Sequence, residues 1–429
     1  MRGLIFLLLG AGILAPAMAQ QPGTNSIASG PGQLLALGKD QTKATQIHGS
    51  IFMAMGFGNT YMVTTTAGNV IIDTSLRPNG ALHKRLLKAA NAGPVKYIIL
   101  THGHEDHRGS VELWKEDGTE IIAQKNYAEF LHYMNRLKGF YAGRNTAQFG
   151  GALGAAPTPP NGNYGAAIDA TILFDDKYEF ELGGVKFEIF STPGETYDHL
   201  TVWIPQFKAA FTGDNYYTSF PNIYTLRGTK PRWALDYVES LDKVLALKPE
   251  LLLPSHGTVL KGADEVNAKL TQYRDAIAYV HDATVEGMNE GKDVFTLMQE
   301  IKLPKELDIG EGYGTIAWSV RGIYEGYVGW FDGNPSTMYS VPPSAVYPEI
   351  VQMAGGPEAV AARANELAAS GKLIEALHLA DMALKADAAN QTALKARLAA
   401  LESLFEASVN SNEKGWLAHG IRETKAKIQ

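Results

Sequence analysis

The chain has 429 residues, 45% of them hydrophobic, with 38 basic and 45 acidic side chains, 11 histidines and no cysteine. That length exceeds one ordinary domain and fits roughly two or three, and a formal charge of −7 with no basic run argues against nucleic acid as a partner, whose phosphates demand clustered Lys and Arg. The absent cysteine excludes disulfides, thiol nucleophiles, iron–sulfur clusters and thiolate zinc sites, so any metal must be held by nitrogen and oxygen.

In chain order, Met1-Arg2-Gly3 supplies a positive start, Leu4 to Leu14 an apolar run, and Ala17-Met18-Ala19 a small-residue cleavage pattern before Gln20. This reads as a secretory signal peptide over residues 1–19, its apolar part too short for a span of about 20 residues. The mature protein is expected to be periplasmic or secreted, without stable membrane insertion. Residues 21–47 are a polar, Gly-rich lead-in. Strands follow at 61–63 and 70–72, joined by a hairpin turn at Thr66-Ala67-Gly68-Asn69 for which Gly-Asn is suited. A helix is predicted over 78–92, a buried strand over 95–100, a helical segment after His107 and a strand near 120–123. Residues 139–165, rich in Gly, Ala, Asn and Pro, predict a long loop. Strands resume at 171–174, 178–182, 185–190, 200–204 and 208–212, before a helix at 234–247 and a last buried strand at 250–254. Two runs of strands with helices between and after them predict an α/β (α+β) sandwich of sheets with outer helices, here assigned to residues 20–264.

Beyond about residue 265 the texture is helical. Residues 264–300 read as helix, Ile316 to Phe331 is rich in aromatics, and from Pro357 the chain is Ala-rich, with Ala376, Ala380 and Ala383 at helical spacing. This resembles a tetratricopeptide-style helix pair, with too few units for a free-standing solenoid, which needs about three. Residues 265–429 are therefore expected to form a helical domain that packs on its neighbour or on a second subunit.

The chemistry concentrates in Thr101-His102-Gly103-His104-Glu105-Asp106-His107, directly after the buried strand. Alternate residues leaving a strand point the same way, so His102 and His104 can share one cation. The chain then turns, and Asp106 and His107 face a neighbouring position. Imidazole and carboxylate without thiolate suit zinc or another first-row divalent metal.

This HxHxDH pattern, with Asp73 ending an earlier strand, resembles the metallo-β-lactamase superfamily, which implies an αββα sandwich with a metal site at one edge. The resemblance implies further ligands at Glu195 in Thr192-Pro193-Gly194-Glu195, at Asp214 in Thr212-Gly213-Asp214, and at His256 in Pro254-Ser255-His256. Most members carry histidine where Glu195 stands, and His199 is a rival for that role. Asp73 reads as a residue that orients the ligand loop. Four features resemble the alkyl sulfatases of this superfamily: Glu195 itself, Asn222-Ile223-Tyr224-Thr225-Leu226-Arg227-Gly228, Arg144 to Gly150, and Val320 to Pro335, which opens that family's dimerisation domain. The likeness spans residues 45–410. In two respects the sequence departs from the family: Asp214 stands where these sulfatases usually have Glu, and their usual sterol-carrier-like domain does not follow.

The resemblance implies an exported, homodimeric hydrolase that binds two Zn2+ per chain and cleaves alkyl sulfate esters with a metal-activated water, at carbon or at sulfur. It implies catalytic roles for Asp106 and Asp214. Arg227 is the candidate sulfate clamp, because a guanidinium donates two parallel hydrogen bonds to a pair of oxygens. Asn222 and Tyr224 are further candidate substrate contacts, and Tyr216, Tyr217, Phe220, Tyr224 and Phe149 could line an apolar channel. Other hydrolases of the fold, acting on β-lactams, lactones or phosphodiesters, are the alternative.

Overall fold

Alternation of apolar side chains along the strands decides the architecture. The computed structural model describes residues 36–150 and 170–429. The signal-peptide reading of residues 1–19, and the portion 151–165 of the expected loop, lie outside the described residues.

The first sheet has seven strands in sequence order: β1 (Thr45–His48), β2 (Ile51–Ala54), β3 (Thr60–Thr65), β4 (Gly68–Ile72), β5 (Val95–Ile99), β6 (Glu120–Gln124) and β7 (Ile172–Phe174). The second has six, in the order β13-β12-β11-β10-β9-β8, from β8 (Lys177–Leu182), β9 (Val185–Ser191), β10 (Leu200–Ile204), β11 (Ala209–Gly213), β12 (Leu251–Pro254) and β13 (Leu260–Lys261). Val70 and Ile72 of β4 face inward and meet Ile189, Val202, Phe211 and Leu253 of the second sheet in one buried cluster. Ile71, between them, faces outward and joins Leu87 of α1 (Arg77–Ala90) and Trp114 in the outer layer. On the other side, Leu252 and Ala210 pack against α6 (Ala234–Ala246) and α7 (Ala263–Asn289). The result is the expected αββα sandwich. Strands β4 and β5 run parallel, as do β11 and β12, so the loops that leave their C-terminal ends converge on one edge.

Three local expectations need correction. The turn between β3 and β4 sits on Thr66-Ala67, one step earlier than predicted, because Thr65 pairs with Gly68 and Gly68 (φ 132°) already starts β4. The helical segment at the ligand loop begins at Glu105, so α2 (Glu105–Arg108) contains His107 and is followed by α3 (Val111–Trp114). After α4 (Tyr127–Arg136), residues 139–149 are not loop but belong to α5 (Lys138–Phe149), which ends at Gly150 (φ 60°). Its glycines Gly139 and Gly143 face open space, and burial of Tyr141, Ala147 and Gln148 fixes the helix despite its composition.

The core does not divide at residue 264. Val266, Leu270, Tyr273 and Ile277 of α7, Leu297 of α8 (Val294–Glu300) and Val320 of α9 (Ile316–Val328) share one cluster with the outer face of the second sheet. Separate Ala-rich clusters begin with α10 (Tyr347–Met353) and α11 (Pro357–Ala369) and include Ala380 and Ala383 of α12 (Leu373–Ala386), then Ala393 and Ala396 of α13 (Gln391–Ala407), with Ala376 buried as well. Small side chains let these helices approach closely. The last helix, α14 (Ser411–Lys425), turns back towards α5.

Candidate metal centre

Asp73 organises the edge of the sandwich. It follows β4 in the left-handed region (φ 56°), which turns its carboxylate under the ligand loop. Oδ1 accepts the Thr101 N–H (2.8 Å), and Oδ2 accepts Thr101 Oγ1 (2.8 Å), Ser255 Oγ (2.7 Å) and His107 Nδ1 (2.8 Å). One buried carboxylate thereby ties the ends of β4, β5 and β12 together. Because Nδ1 of His107 donates to Asp73, its Nε2 is the nitrogen turned to the site, able to offer a lone pair to a cation that displaces its proton. Arg108 adds a bond from Nε to the Gly103 carbonyl (3.0 Å), which holds the turn between His102 and His104.

Two ligand clusters result. His102 Nε2 and His104 Nδ1 lie 2.8 Å apart, with Asp214 Oδ2 3.7 Å from the former. Asp106 Oδ2 lies 3.5 Å from His107 Nε2 and 3.3 Å from His256 Nε2, while Asp214 stands 3.4 Å from His107 and 3.3 Å from His256. These are the groups His102, His104, Asp214 and Asp106, His107, Asp214, His256, each able to offer ligand atoms to one cation. Asp214 belongs to both, and the His102 and His107 rings are 4.0 Å apart, so two ions would be close neighbours sharing its carboxylate.

Glu195 stands beside the first cluster, with Oε1 3.9 Å from His104 Nδ1. Its other oxygen is held by Arg232 Nη1 (2.5 Å) and by the Tyr237 hydroxyl (3.0 Å). Asn215 fixes the turn by accepting the Glu195 N–H (3.0 Å) and donating to the Thr192 carbonyl (2.7 Å). His199 has no nitrogen to spare. Its Nδ1 lies 3.1 Å from the Thr192 carbonyl, and its Nε2 accepts the Asp214 N–H at 3.0 Å. Gly213 leaves room for this ring, since a Cβ there would lie 2.3 Å from Nε2. The geometry therefore favours Glu195 over His199 as the seventh side chain beside the two clusters.

The electrostatics fit cations. Burial, together with the neighbouring His107, holds His102 well below the usual histidine range, and burial with Arg227 and Arg232 does the same to His104, so both are neutral. Burial works against charge on His256 too, yet Asp214 and Asp106 push it up to about 10, and His107 is likewise raised against burial by Asp214, Asp106 and Asp73. The carboxylates thus draw positive charge into the site. His107 Nε2 and Asp214 Oδ1 are also buried without a hydrogen-bond partner, atoms that a divalent ion would satisfy. The donor set of nitrogen and oxygen suits zinc or a similar metal.

A small cavity of about 60 Å³ opens over the centre, lined by His104, Asp106, Glu195 and Asp214 and by Phe57, Asn145, Phe149, Arg227 and Tyr313 among others. Arg227 Nη2 lies 3.3 Å from His104 Nε2. Asn222 and Tyr224 are not among the lining residues. The Asn222 carbonyl accepts from Arg232 Nη1 (2.7 Å), and the Tyr224 ring turns outward onto Gly322 of α9. Of the aromatics considered for a channel, Phe149 lines the cavity, Tyr217 stacks on His256, and Tyr216 and Phe220 are core. Phe57, Asn145, Tyr313, Arg232 and Tyr237 were not singled out by the sequence, because each acquires its place through partners distant along the chain.

Comparison with known proteins agrees with this arrangement. The sequence profile of the metallo-beta-lactamase superfamily matches residues 54–256, and that of alkyl sulfatase dimerisation matches residues 295–427. The chain is 30% identical over 392 residues to a linear primary-alkylsulfatase of a Pseudomonas species, covering 86% of this chain and 74% of that one. It belongs to the alkyl sulfatase family of the metallo-β-lactamase superfamily. As such it is a metal-dependent hydrolase. An alkyl/aryl-sulfatase of Saccharomyces cerevisiae is 26% identical across 88% of this chain, which spans 64% of that relative. A stereoselective inverting sec-alkylsulfatase from Pseudomonas shares the fold, with a TM-score of 0.81 at 23% identity over 90% of this chain and 66% of the other. The alkyl sulfatase profile starts inside α8, so the family's dimerisation region includes helices that here complete the sandwich core.

Proposed function

We propose that this chain hydrolyses alkyl sulfate esters, R–O–SO3− plus water giving R–OH and hydrogen sulfate, with two zinc ions that would be held by His102, His104 and Glu195 and by Asp106, His107 and His256, Asp214 belonging to both sets. The observation that carries the reading is a guanidinium, Arg227, lining the same small cavity as the two ligand clusters and 3.3 Å from His104. When bound, such ions supply Lewis acidity and lower the pKa of water towards neutrality. The chain's own groups do the rest. Arg227 holds two sulfate oxygens through its planar fork. Asp106, which lines the cavity, orients the attacking water, and Asp214 keeps the two clusters in register. Walls of Phe57, Phe149 and Tyr313 keep bulk water from the ester.

The deciding test is a substrate panel on zinc-reconstituted protein. Sulfate release from short and long alkyl sulfates is expected, with two zinc ions bound per chain and activity lost to a chelator. Turnover of a β-lactam or phosphodiester alongside failure on every sulfate ester would sink the reading, as would less than one bound metal per chain.

We also propose export, supported by the pattern over Met1–Ala19; the mature protein is then expected to begin at Gln20. Among the described residues no helix is long and apolar enough to cross a membrane. A homodimer is proposed from the dimerisation profile and from the dense run of exposed apolar side chains between α9 and α10. Trp330 is 74% exposed, Tyr339 68% and Met353 81%, with Phe331, Val341 and Val346 between them. A patch of this kind marks a protein contact. Replacing Trp330 and Met353 together by Glu is expected to convert the dimer to monomer in analytical ultracentrifugation at micromolar concentration; an unchanged mass would place the interface elsewhere.

A further inference from the structure

The final helix, α14, contributes no residue to the cavity, yet much of the cavity wall leans on it. On one side it grips α5. The buried Gln148 donates through Nε2 to Asn412 Oδ1 (2.9 Å) and accepts through Oε1 from Trp416 Nε1 (3.1 Å). Gly415 passes so close that a Cβ there would sit 1.7 Å from the Gln148 carbonyl oxygen, so no other residue fits without shifting a backbone. The Trp416 ring also faces the Arg144 guanidinium at 5.1 Å, and Phe140 lies 5.3 Å from that same guanidinium. Held between two rings, Arg144 donates through Nε to the Arg227 carbonyl (2.8 Å) and through Nη2 to the Leu226 carbonyl. Gly228, the next residue, is at φ 98°, and its N–H donates to the Thr225 carbonyl (2.9 Å).

On the other side, the start of α14 grips the segment that carries Tyr313. Asn410 Nδ2 donates to the carbonyls of Glu311 (2.7 Å) and Tyr313 (2.9 Å), Asn412 Nδ2 to that of Tyr313 (3.0 Å), and the Ser411 N–H to that of Gly312 (3.0 Å). Asn145 and Phe149 on α5, Arg227 and Tyr313 all line the cavity. A single helix from the far end of the chain thus fixes the backbone beneath each of them.

We propose that α14 is a buttress for the sulfate-binding wall, and that Trp416 and Arg144 are positioning residues that set where the Arg227 guanidinium points. This rests on the reading of Arg227 as the sulfate clamp. The physics is that of pre-organisation. An arginine that donates to two successive carbonyls removes the loop's freedom before substrate arrives, and the flanking rings remove the arginine's own. Misplacement of a binding group by about 1 Å is enough to cost up to roughly a hundredfold.

The test uses the full zinc-loaded chain, with hexyl sulfate as the ester. Arg144→Gln and Trp416→Ala are expected to raise KM roughly tenfold or more, to lower kcat less, and to leave the zinc content unchanged. Hydrogen exchange over residues 222–230 is expected to quicken, with the strands of the sandwich unaffected. Trp416→Phe keeps a ring over Arg144 and is expected to restore most of the affinity, which guards against a folding defect in the alanine variant. In an Arg227→Ala background, Arg144→Gln is expected to add almost nothing, because both act through one group. An unchanged KM in both single variants, unchanged exchange over 222–230, or a full extra effect of Arg144→Gln on top of Arg227→Ala would each overturn the proposal. If the unaltered chain releases no sulfate from any ester, the sulfatase reading fails by itself, and the exchange measurement still judges the buttress.

Discussion

Asp214→Asn is expected to abolish activity and to release metal in the same step. The carboxylate faces His102 and His107 through one oxygen and His256 through the other, and it is the only side chain among the described residues shared by both ligand clusters. An amide of equal size fills the same space but brings no charge and offers one oxygen where two are needed. Because the metal supplies several kcal/mol of charge stabilisation, kcat/KM is expected to fall by roughly a thousandfold or more. Metal analysis by plasma mass spectrometry should find fewer than two ions per chain. Retention of both ions with activity inside a factor of about ten would contradict the bridging role.

Arg227→Ala is the complementary case: a large loss of turnover with the metals in place. Removing one preorganised donor from developing negative charge typically lowers kcat by about 10² to 10³. The side chain reaches the site from a loop whose backbone is anchored by Arg144, so its truncation leaves the loop where it is. Zinc content and thermal midpoint are therefore expected to match the unaltered protein. Arg227→Lys should recover only part of the loss, since an ammonium cannot grip two oxygens in a plane. Loss of zinc from the alanine variant would make Arg227 a support for His104 instead of a clamp.

Legibility from the sequence followed the range of the interactions involved. The strands were readable because short β-branched apolar runs are a local signal, as in Val70, Ile71 and Ile72, which are buried on both faces of the sheet. The ligand loop was readable because His102, His104, Asp106 and His107 lie within six residues directly after a buried strand. Between Glu195 and His199 only the family resemblance spoke, for Glu195; what the sequence did not reveal is that the Asp214 N–H and the Thr192 carbonyl engage both nitrogens of His199. Helix α5 was hidden by its glycines, which face open space, while the residues that hold it in place meet a helix from the end of the chain. Arg232 and Tyr237 gave no signal at all, since nothing near them in sequence reveals that they grip Glu195. Asn222 and Tyr224 share a motif with Arg227, but of the three only Arg227 lines the cavity.

The carboxylate of Asp73 has one more consequence. Its four bonds to Thr101, His107 and Ser255 involve protein atoms alone, so they persist whether or not a cation is present. The ligand loop and the strand end before His256 are therefore assembled by folding, in contrast to small zinc domains that collapse only around their ion. Stripping and reloading the metal are accordingly expected to be reversible, with the fold's circular dichroism unchanged by a chelator.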